Sequence, residues 1–427
     1  MAAGYAAFRT QLNINGTSNI TSEWKVLITD IQSKVLSGKA SDAEALSHTE
    51  TTAKFSTKLV SPGDSMQYNI TVENQGDIDA VLEGIDVKTA ENAAIIFETS
   101  GIKREDKLLP DESDILTLTV TYNPEVTDQP SSLNSEVTVT LNYVQDDGTI
   151  ESEPVDITDN VITSGDGLYN DEYNPGRYVY RGANPNNYIE FNGELWRIIS
   201  KEADGTYKIL RNEVLPEEMP FDSAGARTTG YCSKGSAPTS GCNAWAANVN
   251  LVGSPSEFTN GTITGTVDAD SEMLAYLNGE YLKSITINKD KIVSHDYNIG
   301  GVSYGNDDLA TQIEGEKAYR WNGNVALINV SDYINANSNQ ELCGTHKNYN
   351  GNYATCNLSN YLFNNKTWWL LNPIYSNNRF NFALYEIGNI AQPQSKDVRF
   401  VRPAVYLTSN LSLSGSGTKS DPYVIVS

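Results

Sequence analysis

Apolar and polar residues alternate with period two across much of residues 51–144, and this pattern constrains the fold more than any other feature of the chain. TTAKFSTKLV (51–60), MQYNITVEN (66–74), DILTLTVTYN (114–123) and SEVTVTLNYV (135–144) each place every second side chain on one face. A strand with one buried face requires that spacing, and a helix cannot use it. Turn residues separate these runs: SPGD (61–64), NQGD (74–77), LPDES (109–113) and QDDG (145–148). Short strands with such regular punctuation predict an all-β sandwich over residues 1–155. FRTQLNING (8–16) also alternates. SEWKVLITDIQSKVL (22–36) fits strand and helix periods equally well.

The acidic run 151–170, with Pro154 and the turn-rich SGDGLYND, reads as a linker over 156–170. Beyond it the composition shifts towards Asn, Gly, Tyr and Trp. Strands are predicted at 178–182, 188–191, 195–200, 207–212, 325–330 and 402–407. Helices are predicted at 270–282, 309–319, 331–338 and 357–363, the third capped at Ser331–Asp332. This irregular mixture predicts an α+β domain over 171–427. The chain is therefore multidomain, as 427 residues lead one to expect.

Charge excludes some functions. Residues 1–160 carry 27 acidic and 10 basic side chains, and the chain as a whole carries a net −24. Phosphate recognition needs a basic face, so nucleic acid is not an expected partner. No run of apolar residues is long enough to span a bilayer as a helix. The start, MAAGYAAFRT, lacks the basic and apolar regions of a signal peptide, so the chain reads as a mature one.

The four cysteines form two local pairs, Cys232/Cys242 and Cys343/Cys356, each bracketing a polar loop. Disulfides in an oxidising compartment are the favoured reading. The rival is a metal site built from Cys343, His346 and Cys356, but structural zinc wants four ligands, and no metal or other cofactor is expected. Asp166, Asn170, Asp171 and Glu172 could offer oxygens to calcium, but they lack the spacing of an EF-hand loop. No catalytic signature is present, and a non-enzymatic protein is expected.

The stretch 343–381 combines aromatic rings, amides and a guanidinium. Rings stack on a ligand while amides donate and accept, which points to a surface for a glycan or a protein. The candidate ligand-binding residues are Trp368, Asn372, Tyr375, Asn377, Asn378, Arg379 and Asn381.

YAAFRTQLNINGTSNI, SEWKVLITDI and KLVSPGDSMQYNITVENQGDIDAVLEGI resemble the mature N-terminal region of secreted Gram-positive surface proteins related to TasA and camelysin. That resemblance covers residues 4 to about 145. It implies a jelly-roll-like sandwich and, in some members, fibres in which one subunit's N-terminal strand completes the next subunit's sheet. Phe8, Leu12 and Ile14 would then lie in the donated strand, and the partners would be other copies of the chain.

GLYNDEYNPGRYVYRGANPNNYIEFNGELWRIIS (167–200), CNAWAA (242–247), WNGNVALINVSDYINAN (321–337), WWLLNP (368–373), VRFVRPAVYL (398–407) and GSGTKSDPYVI (415–425) resemble the C-type-lectin-like domain at the ends of Gram-positive surface and prepilin-like proteins. That resemblance implies a ligand face on the loop before the last strand, here 374–397. The expected function is a secreted, cell-surface, non-enzymatic protein that presents a C-terminal ligand-binding domain on a sandwich stalk. The alternative is a structural subunit of an extracellular fibre or pilus.

Overall fold

The computed structural model describes residues 23–427 apart from 90–91, 93, 105, 125, 127–136, 147–154, 224–226, 304, 306–307, 420 and 427. Phe8, Leu12 and Ile14 lie outside the described residues. Strands predominate, and the chain divides into two compact units, Met1–Ile150 and Glu151–Ser427.

In the first unit, the alternating segment Ser65–Asn74 sits between Val26–Ser37 and Ser113–Tyr122, and Ile95–Ser100 follows on the outer side of Ser113–Tyr122. All of these pairings are antiparallel. The register sets Met66 opposite Val120, Tyr68 opposite Leu118 and Ile70 opposite Leu116, and all six side chains are buried. Such same-face pairs are what a period of two produces in neighbouring strands. A second sheet has the order Val137–Gln145, Ala80–Thr89, Lys107–Leu108. Ala80, Leu82, Ile85 and Leu108 share one apolar core with Ile31, Ile70, Val72 and Leu116 of the first sheet.

The ambiguous 22–36 segment is a strand, Val26–Ser37, in which Ile31 pairs with Ile70 and is buried. The 51–60 alternation yields only the two-residue strands Ala53–Lys54 and Thr57–Lys58. Their partners, Ser47–His48 and Ser41–Asp42, are equally short.

The second unit contains an eight-stranded sheet. Its main path runs Gly167–Asn170, Tyr178–Arg181, Glu194–Lys201, Tyr207–Arg211, Ala404–Leu407, Ile292–Val293. Ala404–Leu407, the last of these strands in chain order, therefore lies inside the sheet. Residues 156–170 are not a linker, because Ile157 and Leu168 are both buried in this unit's core and Gly167–Asn170 is the first strand of the sheet. Local acidity and Pro154 suggested solvation, whereas pairing with Tyr178–Arg181 decided the conformation. The segment 325–330 is a strand only at Val325–Ala326, since Val330 already begins the helix Val330–Asn335. Asn329 caps that helix in place of Ser331, and its backbone N–H donates to Asp332 at 3.0 Å.

Both disulfides form, Cys232–Cys242 and Cys343–Cys356, with Cα separations of 5.3 and 5.8 Å, and no described cysteine is free. Each closed loop contributes about 2–3 kcal/mol in the chain-entropy picture. The cysteines are thereby unavailable to a metal, and His346 instead accepts from the Gly305 backbone at 3.1 Å. Asp171 is bonded to Arg177 and Glu172 to Arg181. Among the described residues no group of three or more His, Cys, Asp or Glu could hold a metal ion.

Behind the sheet lies a buried charged network. Arg177 reaches Asp171 at 2.8 Å, Glu202 at 3.0 Å and Asp332 at 2.8 Å, while Lys208 reaches Asp332 at 2.6 Å. Glu316 lies alongside, buried, accepting from the Ser331 backbone at 2.9 Å, from the Ser331 hydroxyl and from Gln312 at 3.2 Å. Burial outweighs these bonds and, with Asp332 nearby, pushes the Glu316 carboxyl up to about 7. A carboxyl raised in the folded state stabilises fully below its unfolded value of 4.5 and loses that contribution as pH rises through about 7. Burial also holds His346 down, at about 4, so its contribution is lost in the opposite direction, as pH falls from 6.5 through 4. The two groups oppose each other across this window. Glu316→Gln removes one of them. Its unfolding free energy relative to wild type is expected to rise by on the order of 3 kcal/mol between pH 4.5 and pH 8. Urea titrations at both pH values check this, and a difference independent of pH would show that Glu316 is ionised in the fold.

Candidate functional site

The stretch with candidate ligand contacts folds as the strand Trp368–Pro373, the loop 374–380 and the strand Asn381–Leu384. All six positions of the first strand are buried. Four of the seven candidates face inwards. Trp368 is 0% exposed, donates its indole N–H to Asn364 at 3.1 Å and meets Tyr333 edge to face. Asn372 donates to the Gly300 carbonyl at 3.1 Å and accepts from the Val330 backbone at 3.0 Å. Asn378 donates to the carbonyls of Tyr231 at 3.0 Å and Lys234 at 2.6 Å. Asn381 donates to the Asn243 carbonyl at 3.3 Å and accepts from the Ser395 hydroxyl at 2.7 Å. These amides satisfy backbone groups that the irregular loops leave unpaired, so in this fold they are not ligand contacts.

Tyr375, Asn377 and Arg379 remain at the surface. Tyr375 is 49% exposed, while Asn377 and Arg379 are half-buried. Asn377 accepts from the Arg379 backbone at 3.1 Å, which fixes the turn between them. The Arg379 guanidinium lies 4.5 Å from the Phe380 ring centroid, and its Nε has no protein partner among the described residues. Its remaining donors can be directed at a ligand.

The loop that carries these groups is held from several directions. Tyr375 donates its N–H to the Val302 carbonyl at 2.7 Å, and Asn260 donates to the Ile374 carbonyl at 2.7 Å. Asn243 donates to the carbonyls of Asn377 and of Phe380. Tyr231 ties these amides together, its hydroxyl lying 2.9 Å from Asn243 and 3.2 Å from Asn260. Burial raises the Tyr231 phenol well above its ordinary range, so it stays protonated and available to donate. Gly261 permits the close packing, since a Cβ there, at φ +62°, would fall 2.0 Å from the Ser376 hydroxyl.

Tyr231, Asn243 and Asn260 were not among the sequence candidates. The one local signal for two of them is position, because Tyr231 precedes Cys232 and Asn243 follows Cys242, so the first disulfide clamps the two ends of the support. The resulting arrangement is a rigid platform with one exposed phenol, one amide and one guanidinium. It offers stacking, donors and acceptors to a ligand, with little ordering cost on binding.

Comparison of the chain with family models, with curated proteins and with solved structures gave no match.

Proposed function

We propose that this chain is a secreted bacterial cell-surface protein without enzymatic activity. In this reading the second unit is a C-type-lectin-like domain that binds a glycan or a surface protein. The first unit is a jelly-roll-like β-sandwich that serves as its stalk. The observation that carries the reading is Tyr375, half exposed on a loop whose backbone is tied to Val302, Asn243 and Asn260. A folded core gains nothing from a large exposed ring on a rigid loop, whereas a binding face does. Two disulfides in a chain with no free described cysteine are compatible with an oxidising, extracellular setting. No helix among the described residues is long and apolar enough to cross a membrane.

The test is a screen of the intact chain against glycan and surface-protein panels, followed by Tyr375→Ala and Arg379→Ala. Each substitution is expected to weaken binding about tenfold or more, with the melting temperature essentially unchanged. Unchanged affinity in both variants would move the ligand face elsewhere, and no ligand on broad panels would count against a binding role.

A further inference from the structure

Asn192 and Gly193 form the two-residue turn between the strands Tyr188–Phe191 and Glu194–Lys201, which close on the pair Phe191 and Glu194. Their φ angles are +56° and +73°. A hairpin turn with both angles positive suits Asn-Gly, because Gly has no Cβ and Asn tolerates the left-handed region. The same dipeptide is chemically reactive. The backbone nitrogen that follows an asparagine can attack the side-chain carbonyl carbon and close a succinimide ring, and a glycine there leaves the approach open.

Five Asn-Gly pairs fall within the described residues, beginning at Asn192, Asn260, Asn278, Asn322 and Asn350. Asn15 also precedes a glycine and lies outside them. In four of the five, the protein holds the amide nitrogen that has to leave. Asn260 donates through Nδ2 to the Ile374 carbonyl at 2.7 Å, and Asn278 to the Val325 carbonyl at 2.8 Å. Asn322 donates to the Asp296 carboxylate at 2.8 Å, and Asn350 to the Ile390 carbonyl at 2.8 Å. Each of these bonds fixes the side chain and is lost if the nitrogen departs.

Asn192 is bonded the other way round. Its Oδ1 accepts the backbone N–H of Thr286 at 2.9 Å and that of Ile287 at 3.2 Å, while its Nδ2 has no protein partner among the described residues. Two N–H donors on one carbonyl oxygen are the arrangement that stabilises the negative charge of a tetrahedral intermediate. Gly193 is exposed and Ile287 is 54% exposed, so water reaches the turn.

We propose that Asn192 is a self-modifying site, selected by the fold for conversion to aspartate and isoaspartate. The Gly193 nitrogen gives its proton to solvent base and bonds to the Asn192 side-chain carbonyl carbon. Charge gathers on Oδ1 against the two N–H groups. The bond from that carbon to Nδ2 then breaks, and the nitrogen takes protons from water and leaves. Water opens the succinimide at either carbonyl. In sum, an amide and water become a carboxylate and ammonium, with no oxidant, metal or partner. The aspartate product keeps both N–H bonds in charge-assisted form. The isoaspartate product lengthens the backbone inside a turn built for two residues. The inference is independent of the Tyr375 loop.

The experiment ages the intact chain at mildly alkaline pH, one portion folded and one in urea. Each is digested at acid pH and mapped by mass spectrometry with fragmentation that separates aspartate from isoaspartate. In the folded chain Asn192 is expected to convert about tenfold or more faster than Asn260, Asn278, Asn322 or Asn350. Its rate is expected to rise with pH, because the attacking nitrogen must lose a proton. In urea the five are expected to react at similar rates. Equal rates in the folded chain overturn the proposal, as does an intact Asn192 beside conversion at another of the five. A lead for Asn192 that persists in urea overturns it as well, because the selection would then lie in the neighbouring sequence and not in the Thr286 and Ile287 donors.

Discussion

Asp332→Ala destabilises the second unit by roughly 3–5 kcal/mol, measured by urea unfolding at neutral pH. Asp332 is 6% exposed and accepts from Arg177 at 2.8 Å, from Lys208 at 2.6 Å and from the Asn329 backbone at 3.0 Å. Burial alone would raise its pKa, but the two cations overcome that and hold the carboxyl at about 2. Arg177 retains Asp171 and Glu202 when Asp332 is removed. Lys208 keeps only a 3.4 Å approach to the Asn329 side-chain oxygen and the faces of Tyr297 and Tyr406. The cost therefore falls on Lys208, left charged and buried. The double variant Asp332→Ala/Lys208→Met is expected to recover at least half of the loss, because it removes the stranded charge and leaves an apolar side chain of similar length. Equal losses in the single and double variants would place the cost on the helix start at Asn329 instead. The sign with pH follows from the lowered pKa: the contribution of Asp332 is present above 3.8 and is lost as pH falls through about 2.

Trp368→Ala also destabilises by about 3–5 kcal/mol, whereas Tyr375→Ala changes stability by less than about 0.5 kcal/mol. Trp368 is wholly buried, with Tyr333 edge to face at 6.3 Å, the Arg402 guanidinium 5.1 Å from its ring and Asn364 on its indole N–H. Removing it opens a cavity in the core, takes the indole donor from Asn364 and takes the ring face from Arg402, which keeps its bonds to the Arg211 and Leu362 carbonyls. Thermal melts followed by near-ultraviolet circular dichroism distinguish the two variants. A wild-type melting temperature for Trp368→Ala would mean that the indole faces solvent and belongs to a ligand surface after all. The contrast matters for function, because loss of binding in a Trp368 variant reports unfolding, while loss in a Tyr375 variant reports the ligand face.

The strands at Ser65–Asn74, Ser113–Tyr122 and Val137–Gln145 were legible because each alternates over its own length and needs no distant information. Ala80–Thr89 and Ile95–Ser100 were not identified. Ala80, Val81 and Leu82 are all buried in succession, which breaks the period of two. The two cysteine pairs were legible for a related reason, since loops of ten and thirteen residues bring their ends together readily. The stretch 368–381 was legible as polar and aromatic, but not as inside or outside. Asn378 and Tyr375 lie three positions apart and have similar local surroundings, yet one is 1% and the other 49% exposed.

By itself, then, the sequence determined the β character of the first unit, the mixed character of the second and the pairing of its cysteines, because each rests on interactions between near neighbours in the chain. Only the tertiary structure decided which rings and amides face solvent. The hydrogen bonds that turn Asn378 inwards reach Tyr231 and Lys234 across 147 and 144 positions. Contacts of that range leave no periodic trace in a sequence, since either partner alone looks like an ordinary loop residue.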